Sequence, residues 1–163
     1  MTAPHYQAIV AAPGFALGIL CDDDEVSAIE YLAPQAAQAP SNRLAAETVR
    51  QIEAYLADPA FVFGLPLRPA GTFFQRRVWA EIALIPVGQT LTYGQVAKNI
   101  RNAPRAVGQA CGRNPYPLIV PCHRVVASGG GLGGFSQHGD GFMLDIKRWL
   151  LRHEGCDFAA APR

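Results

Sequence analysis

An α+β fold is predicted for this chain of 163 residues. Three short apolar runs divided by turn signals open the sequence, the pattern of a small antiparallel sheet. One amphipathic segment follows, and the second half reads as short helices behind capping signals. Half of the residues are hydrophobic and 17% are charged, which supplies a core and excludes a disordered chain.

The runs HYQAIVAA (5–12), FALGILCD (15–22) and EVSAIEYL (25–32) are read as strands. Pro13-Gly14 makes the first turn and the acidic run 22–24 the second, a solvated hairpin tip. Ser41 is placed as the cap of a helix running to about Ala57. Its Leu44, Ala45, Thr48, Val49, Ile52, Tyr55 and Leu56 recur at helical spacing and define one buried face. PLRPAG (66–71) reads as a linker between a first domain, 1–68, and a second, 69–163.

In the second domain Thr72-x-x-Gln75 is a capping-box pattern before FFQRRVWAEIALI, which Pro86 and Gly88 end. Thr92-x-x-Gln95 repeats the device before YGQVAKNI. Pro104 suits a first helical position and opens RAVGQACGR. Two short helices joined by a short turn form a helix-turn-helix pattern. Lys98, Arg101, Arg105 and Arg113 in that segment point to a DNA-facing surface. The pieces PLIV (117–120) and RVVA (124–127) read as strands around Cys122. In GFMLDIKRWLLRHEG the residues Met143, Ile146, Trp149 and Leu150 form an apolar stripe, and Gly155 is the stop.

Net charge is +1 but unevenly spread. Residues 1–68 hold eight acids against three bases, and residues 69–163 eleven bases against five acids. The basic half is expected to face a polyanion. The N-terminal apolar run has no basic region before it and is broken by Pro13 and Gly14, so neither a signal peptide nor a membrane span is read, and a cytoplasmic location is expected. Cys21, Cys111, Cys122 and Cys156 form no C-x-x-C pair. Reduced thiols are expected rather than a disulfide framework, and no ligand spacing supports a metal site. GGGLGG (129–134) matches G-x-G-x-x-G, but no helix opens after it and no βαβ unit surrounds it. A backbone lying close to a flat ligand suits those glycines better.

Pro121, Cys122, His123 and Arg124 interrupt an apolar stretch. Cys122 has two readings: a small buried hydrophobe, or a nucleophile. The second needs a nearby base or cation, because an ordinary thiol ionises only at a pKa of about 8.5. His123 is the candidate base, acting through a water or a backbone turn, and Glu154 in RHEG is its candidate orienting acid.

IVPCHRVV resembles the Pro-Cys-His-Arg-Val signature of the O6-alkylguanine-DNA alkyltransferase family. TLTYGQVA, RAVGQACGRNPYPLIVPCHRVV and KRWLLRHEG resemble the same family in order and mostly in spacing, over roughly residues 72–156. The resemblance implies an N-terminal ribonuclease-H-like domain, a small antiparallel sheet plus helix. It implies a C-terminal, mostly helical, winged-helix-like DNA-binding domain. The implied activity is DNA repair by stoichiometric transfer of an alkyl group from O6-alkylguanine, with O4-alkylthymine a further candidate, to the protein's own cysteine. The partner would be double-stranded DNA, entered from the minor groove by a monomer that needs no cofactor and flips the damaged base out of the stack.

By position, the resemblance makes Cys122 the alkyl acceptor, His123 its base through a water, and Glu154 the residue orienting His123. Asn114 would brace the active-site turn. Arg105 would fill the space of the flipped base, a vacancy that suits a planar cation. Tyr93 would donate a hydrogen bond to the guanine ring. The carbonyls of Cys122 and Val125 would accept from its exocyclic amine, and the N–H of Ser136 would reach O6. Gln75 and Ser128 fall where the family touches phosphates. The chain departs from the family in a longer stretch before HEG, through SQHGDGFMLD. It also has Phe135 where many members carry tyrosine, and an unusual Gln137. These alter the pocket rim. Cys111 lies near the expected pocket as a second thiol that could react. Two rival functions share these residues: a damage-binding protein without transfer, and a cysteine hydrolase that turns over.

Overall fold

A computed structural model describes residues 5–133 and 141–156. The chain divides into two compact units, Met1–Pro69 and Ala70–Arg163.

In the first unit the strands β1 (Ala8–Ala12), β2 (Phe15–Cys21) and β3 (Val26–Leu32) form an antiparallel sheet in that order. The register pairs Ala8 with Ile19 and Ile19 with Ile29. The central strand β2 is buried on both faces except at Leu20. Helix α1 (Arg43–Ala57) packs on β1 and β2 through Ala45, Thr48, Ile52 and Tyr55. Its cap is Asn42 rather than the expected Ser41: Asn42 Oδ1 accepts from Ala45 N at 2.7 Å. Asparagine caps at least as well as serine and stands one residue closer to the first turn. Gln51, absent from the expected face, is buried because its amide exchanges two hydrogen bonds with the backbone of Gly64.

In the second unit both capping boxes form. Thr72 caps α2 (Phe73–Ala83), Thr92 caps α3 (Tyr93–Asn99), and in each the glutamine three residues on closes the box. Helix α4 (Pro104–Gly112) starts on its proline. Val78, Ile82, Val96 and Val107 are fully buried where these helices meet, each stabilising the unit by roughly 1.5–3 kcal/mol. Trp79 Nε1 donates to Ala110 O at 2.9 Å and ties α2 to the end of α4. The α3–α4 turn holds Arg101 at φ 58°.

Around Cys122 the strand expectation is only half met. Residues 117–120 are not a strand: Leu118 sits at φ 75°, and Val120 N bonds back to Tyr116 O at 2.9 Å. Pro115 and Pro117 cannot donate to a ladder, so the segment turns instead. Of the second piece only β5 (Val125–Val126) is extended, pairing parallel with β4 (Leu91–Thr92). Helix α5 (Gly141–His153) buries Ile146, Lys147, Leu150 and Leu151; Met143 and Trp149 are only partly covered, and Trp149 stacks on His153 at 4.8 Å. Gly155 takes φ 90°, the left-handed conformation expected of a helix stop.

Candidate active site

The β4–β5 pairing brings the start of α3 beside the chain leaving Cys122, because Thr92 pairs with Val126 and Tyr93 is next in sequence. Cys122 opens a single 3₁₀ turn, Cys122–Arg124, rather than lying within a strand. The turn is braced by Asn114. Its Nδ2 donates to Val120 O at 2.9 Å and to Cys122 Sγ at 3.5 Å, and its Oδ1 accepts from Tyr116 N at 2.9 Å. One side chain thus fixes the strained approach through Leu118 and touches the sulfur itself.

His123 and Glu154 form a buried pair. Nε2 of His123 lies 2.8 Å from Glu154 Oε2, and the two side chains are 1% and 0% exposed. Arg124 closes the group, with Nε donating to Glu154 Oε1 at 2.7 Å, Nη2 to Oε2 at 3.0 Å and Nη1 to Ile85 O at 2.7 Å. Glu154 therefore pairs with Arg124 as well as with His123. Burial lowers the pKa of His123 against the opposing pull of Glu154, so the ring is neutral near pH 7. A neutral ring donating from Nε2 to the carboxylate presents a lone pair at Nδ1. That Nδ1 is buried and has no hydrogen-bond partner among the described residues.

The sulfur is a thiol at rest rather than a standing thiolate. A hydrogen bond with the Cys111 side chain and burial push the Cys122 pKa well above its ordinary value, while Asn114 and Lys147 pull it down. Lys147 is fully buried on α5. Its Nζ donates to Val125 O at 2.8 Å and lies 5.7 Å over the centre of the Tyr93 ring. Burial lowers its pKa to about 8, against the pull of Cys111 and Cys122. Burial likewise raises the Tyr93 phenol, which stays protonated and able to donate. The glycine loop meets that ring: a Cβ on Gly133, at φ 74°, would lie 2.9 Å from Tyr93 Cε2. The flat group that the glycines admit is thus, in the protein alone, the Tyr93 ring.

The expected residues fall into two sets. Cys122, His123, Glu154, Asn114, Tyr93 and Val125 gather in one place. Arg105 stands exposed on the first turn of α4, and Ser128 is exposed on the 3₁₀ turn Ser128–Gly130. Gln75 is engaged in the α2 capping box through Oε1, on the wall of a cleft of about 410 Å³ shared with Thr72, Phe74, Gln109 and Arg113. Phe135 and Ser136, with Gln137, lie outside the described residues. The Val125 carbonyl, expected to meet a base, already accepts from Lys147. Lys147 and Arg124 are the residues that sequence reasoning did not place in the site. A signal for Lys147 existed: it lies four residues after Met143 and three before Leu150, on the apolar stripe.

Among the described residues no group of three or more His, Cys, Asp or Glu side chains is arranged to hold a metal ion. Nor is any helix there long and apolar enough to cross a membrane.

Residues 73–156 match the family described as 6-O-methylguanine DNA methyltransferase, DNA binding domain. The chain is 50% identical over 111 residues to a methylated-DNA–protein-cysteine methyltransferase of Methanosarcina acetivorans, covering 67% of this chain and 68% of that protein. It is 43% identical over 117 residues to a protein of the same name from Mycobacterium leprae, covering 71% and 68%. The fold is similar to the crystal structure of Mycobacterium tuberculosis OGT in complex with DNA. There the TM-score is 0.75 and the identity 32%, over 92% of this chain and 94% of the other.

Proposed function

This chain belongs to the O6-methylguanine-DNA methyltransferase family, and on that premise we propose that Cys122 is the atom-accepting end of a single, irreversible alkyl transfer. The activity is that of a methylated-DNA–protein-cysteine methyltransferase, repair of alkylated guanine in DNA by direct transfer to a protein cysteine.

The observation that carries the mechanism is the state of His123. With Nε2 held by Glu154 and Nδ1 buried without a partner, its one available lone pair faces the interior. Nδ1 and the Cys122 sulfur make no direct hydrogen bond, which supports a bridging water between them. The thiol proton passes through that water to Nδ1. The sulfur–carbon bond then forms as the carbon–O6 bond breaks, the electron pair moves onto the guanine, and the proton held by His123 returns through solvent to that base. Glu154, fixed by Arg124, stabilises the imidazolium formed on the way. Lys147 lowers the cost of the transient thiolate. Tyr93, protonated, donates to the guanine ring, and Asn114 holds the sulfur in line. The thioether product leaves no group able to hydrolyse it, so each molecule acts once.

The finer DNA geometry belongs to the same proposal. Exposed Lys98, Arg101, Arg105 and Arg113 lie on or beside the α3–α4 pair, and we assign that pair to the minor groove with Arg105 replacing the flipped base. Ser128 and the cleft at Gln75 are assigned to phosphates, and Phe135 and Ser136 to the pocket rim. Residues 69–163 carry DNA binding and alkyl acceptance, and the working form is a cytoplasmic monomer.

The test is a duplex carrying O6-methylguanine with a radiolabelled methyl group. The label moves to the tryptic peptide containing Cys122; Cys122→Ala takes up none yet still retards the duplex in a gel. Label released repeatedly as methanol would identify a hydrolase, and binding without transfer by the unaltered chain a damage-binding protein.

A further inference from the structure

We propose that Cys111 and Cys122 form a reversible disulfide that switches the alkyl acceptor off. The Cys111 side chain is the largest influence on the acidity of the Cys122 thiol. Cys111, at the end of α4, packs against the core cluster that contains Cys122. Asn114 holds both ends of the loop between them: its N–H bonds to Cys111 O at 3.2 Å and its Nδ2 to Cys122 Sγ at 3.5 Å. The exposures differ in a useful way, since Cys122 is buried and Cys111 is only partly covered. An oxidant therefore meets Cys111 first. The remaining thiols are engaged elsewhere: Cys21 bonds to Asn42 in the other unit, and Cys156 packs against a separate cluster.

The oxidant is a hydroperoxide. The Cys111 sulfur, losing its proton, attacks the peroxide oxygen; the O–O bond breaks, leaving a sulfenic acid and an alcohol or water. The Cys122 sulfur then displaces hydroxide, which takes up the Cys122 proton and leaves as water. Two thiols lose two electrons and two hydrogens, and the peroxide gains them. The sulfurs close to about 2.05 Å, and a dithiol reverses the bond by exchange. Held this way, Cys122 is protected from the irreversible sulfinic acid. The switching of activity rests on Cys122 being the acceptor, whereas the pairing does not.

The experiment treats the full, DNA-free chain with hydrogen peroxide. Its intact mass falls by two hydrogens, and tryptic residues 106–113 and 114–124 appear as one cross-linked species. Transfer from an O6-methylguanine duplex is lost with that species and recovered with dithiothreitol. In Cys111→Ser the two-hydrogen loss is absent, and peroxide adds oxygens to Cys122 that dithiothreitol does not remove. Oxidised wild-type chain carrying only added oxygens, or a cross-link to Cys21 or Cys156, overturns the pairing. A two-hydrogen loss in a chain that never transfers alkyl upholds the pairing and overturns the acceptor reading.

Discussion

Arg124 holds Glu154 at two points, Nε to Oε1 at 2.7 Å and Nη2 to Oε2 at 3.0 Å, and His123 shares that same Oε2 at 2.8 Å. Glu154 stands just past the end of α5, where the last carbonyls carry partial negative charge and an acid is disfavoured. The guanidinium offsets this, and the carboxylate lies buried and aimed at the imidazole.

Glu154→Gln removes the charge and keeps the size. Arg124 is then a largely buried cation without its partner, which costs about 3–5 kcal/mol. Denaturant titration should show that loss. Alkyl transfer, measured where the variant is still folded, should slow by roughly 10²-fold or more as His123 loses its orienting group.

Stability should fall on mild acidification. The folded-state pKa of His123 is lowered below its unfolded value, so the unfolded chain takes up a proton that the folded one refuses. This contribution is fully present above about pH 6.5, the unfolded value, and is lost as pH falls from there toward the folded value. Thermal melts between about pH 8 and 5 should show the decline, and His123→Asn should flatten it.

Lys147→Met separates electrostatics from packing. The buried ammonium is held charged at some cost, its pKa depressed to about 8, and methionine refills a similar volume. Stability should fall by about 1–3 kcal/mol, the cost of taking from the buried Val125 carbonyl the donor it has in Lys147. Transfer at pH 7 should slow, and the alkylation of Cys122 by iodoacetamide should need a higher pH than in the wild type, because a cation that favours the thiolate is gone. An unaltered pH profile would remove Lys147 from the site.

Arg105→Ala should leave stability within about 0.5 kcal/mol, since the side chain is exposed. Transfer from a duplex should slow by about tenfold, equivalent to roughly 1.4 kcal/mol of support for the flipped state. Reaction with the free base O6-methylguanine, which needs no flipping, should be unaffected. An unfolded variant would show that the start of α4 is misplaced.

The sequence was most informative where the physics is local. Thr72 with Gln75 and Thr92 with Gln95 satisfy orphan backbone N–H groups within one turn, so both boxes could be read directly. Pro104 at its helix start and Gly155 at a left-handed stop were equally legible. The cysteine, the histidine and their acid were legible as residue types. The segment 117–120 was not, because its apolar pattern imitates a strand while its geometry is set by two prolines and by Asn114 reaching across from the end of α4. Lys147 was hidden for another reason: its position lies on the buried stripe, but its charge argues against burial until the Val125 carbonyl and the sulfurs are seen beside it. The raised pKa of the Cys122 thiol depends on Cys111 and on burial, and neither could be inferred from spacing.

The most direct measurement is intact-mass analysis of the chain after incubation with a large excess of O6-methylguanine duplex, followed by peptide mapping. Each molecule should gain one methylene, located on Cys122, and the reaction should stop when every chain carries it. Continued loss of O6-methylguanine beyond one equivalent of protein, or the methyl group on any other residue, would contradict this outcome.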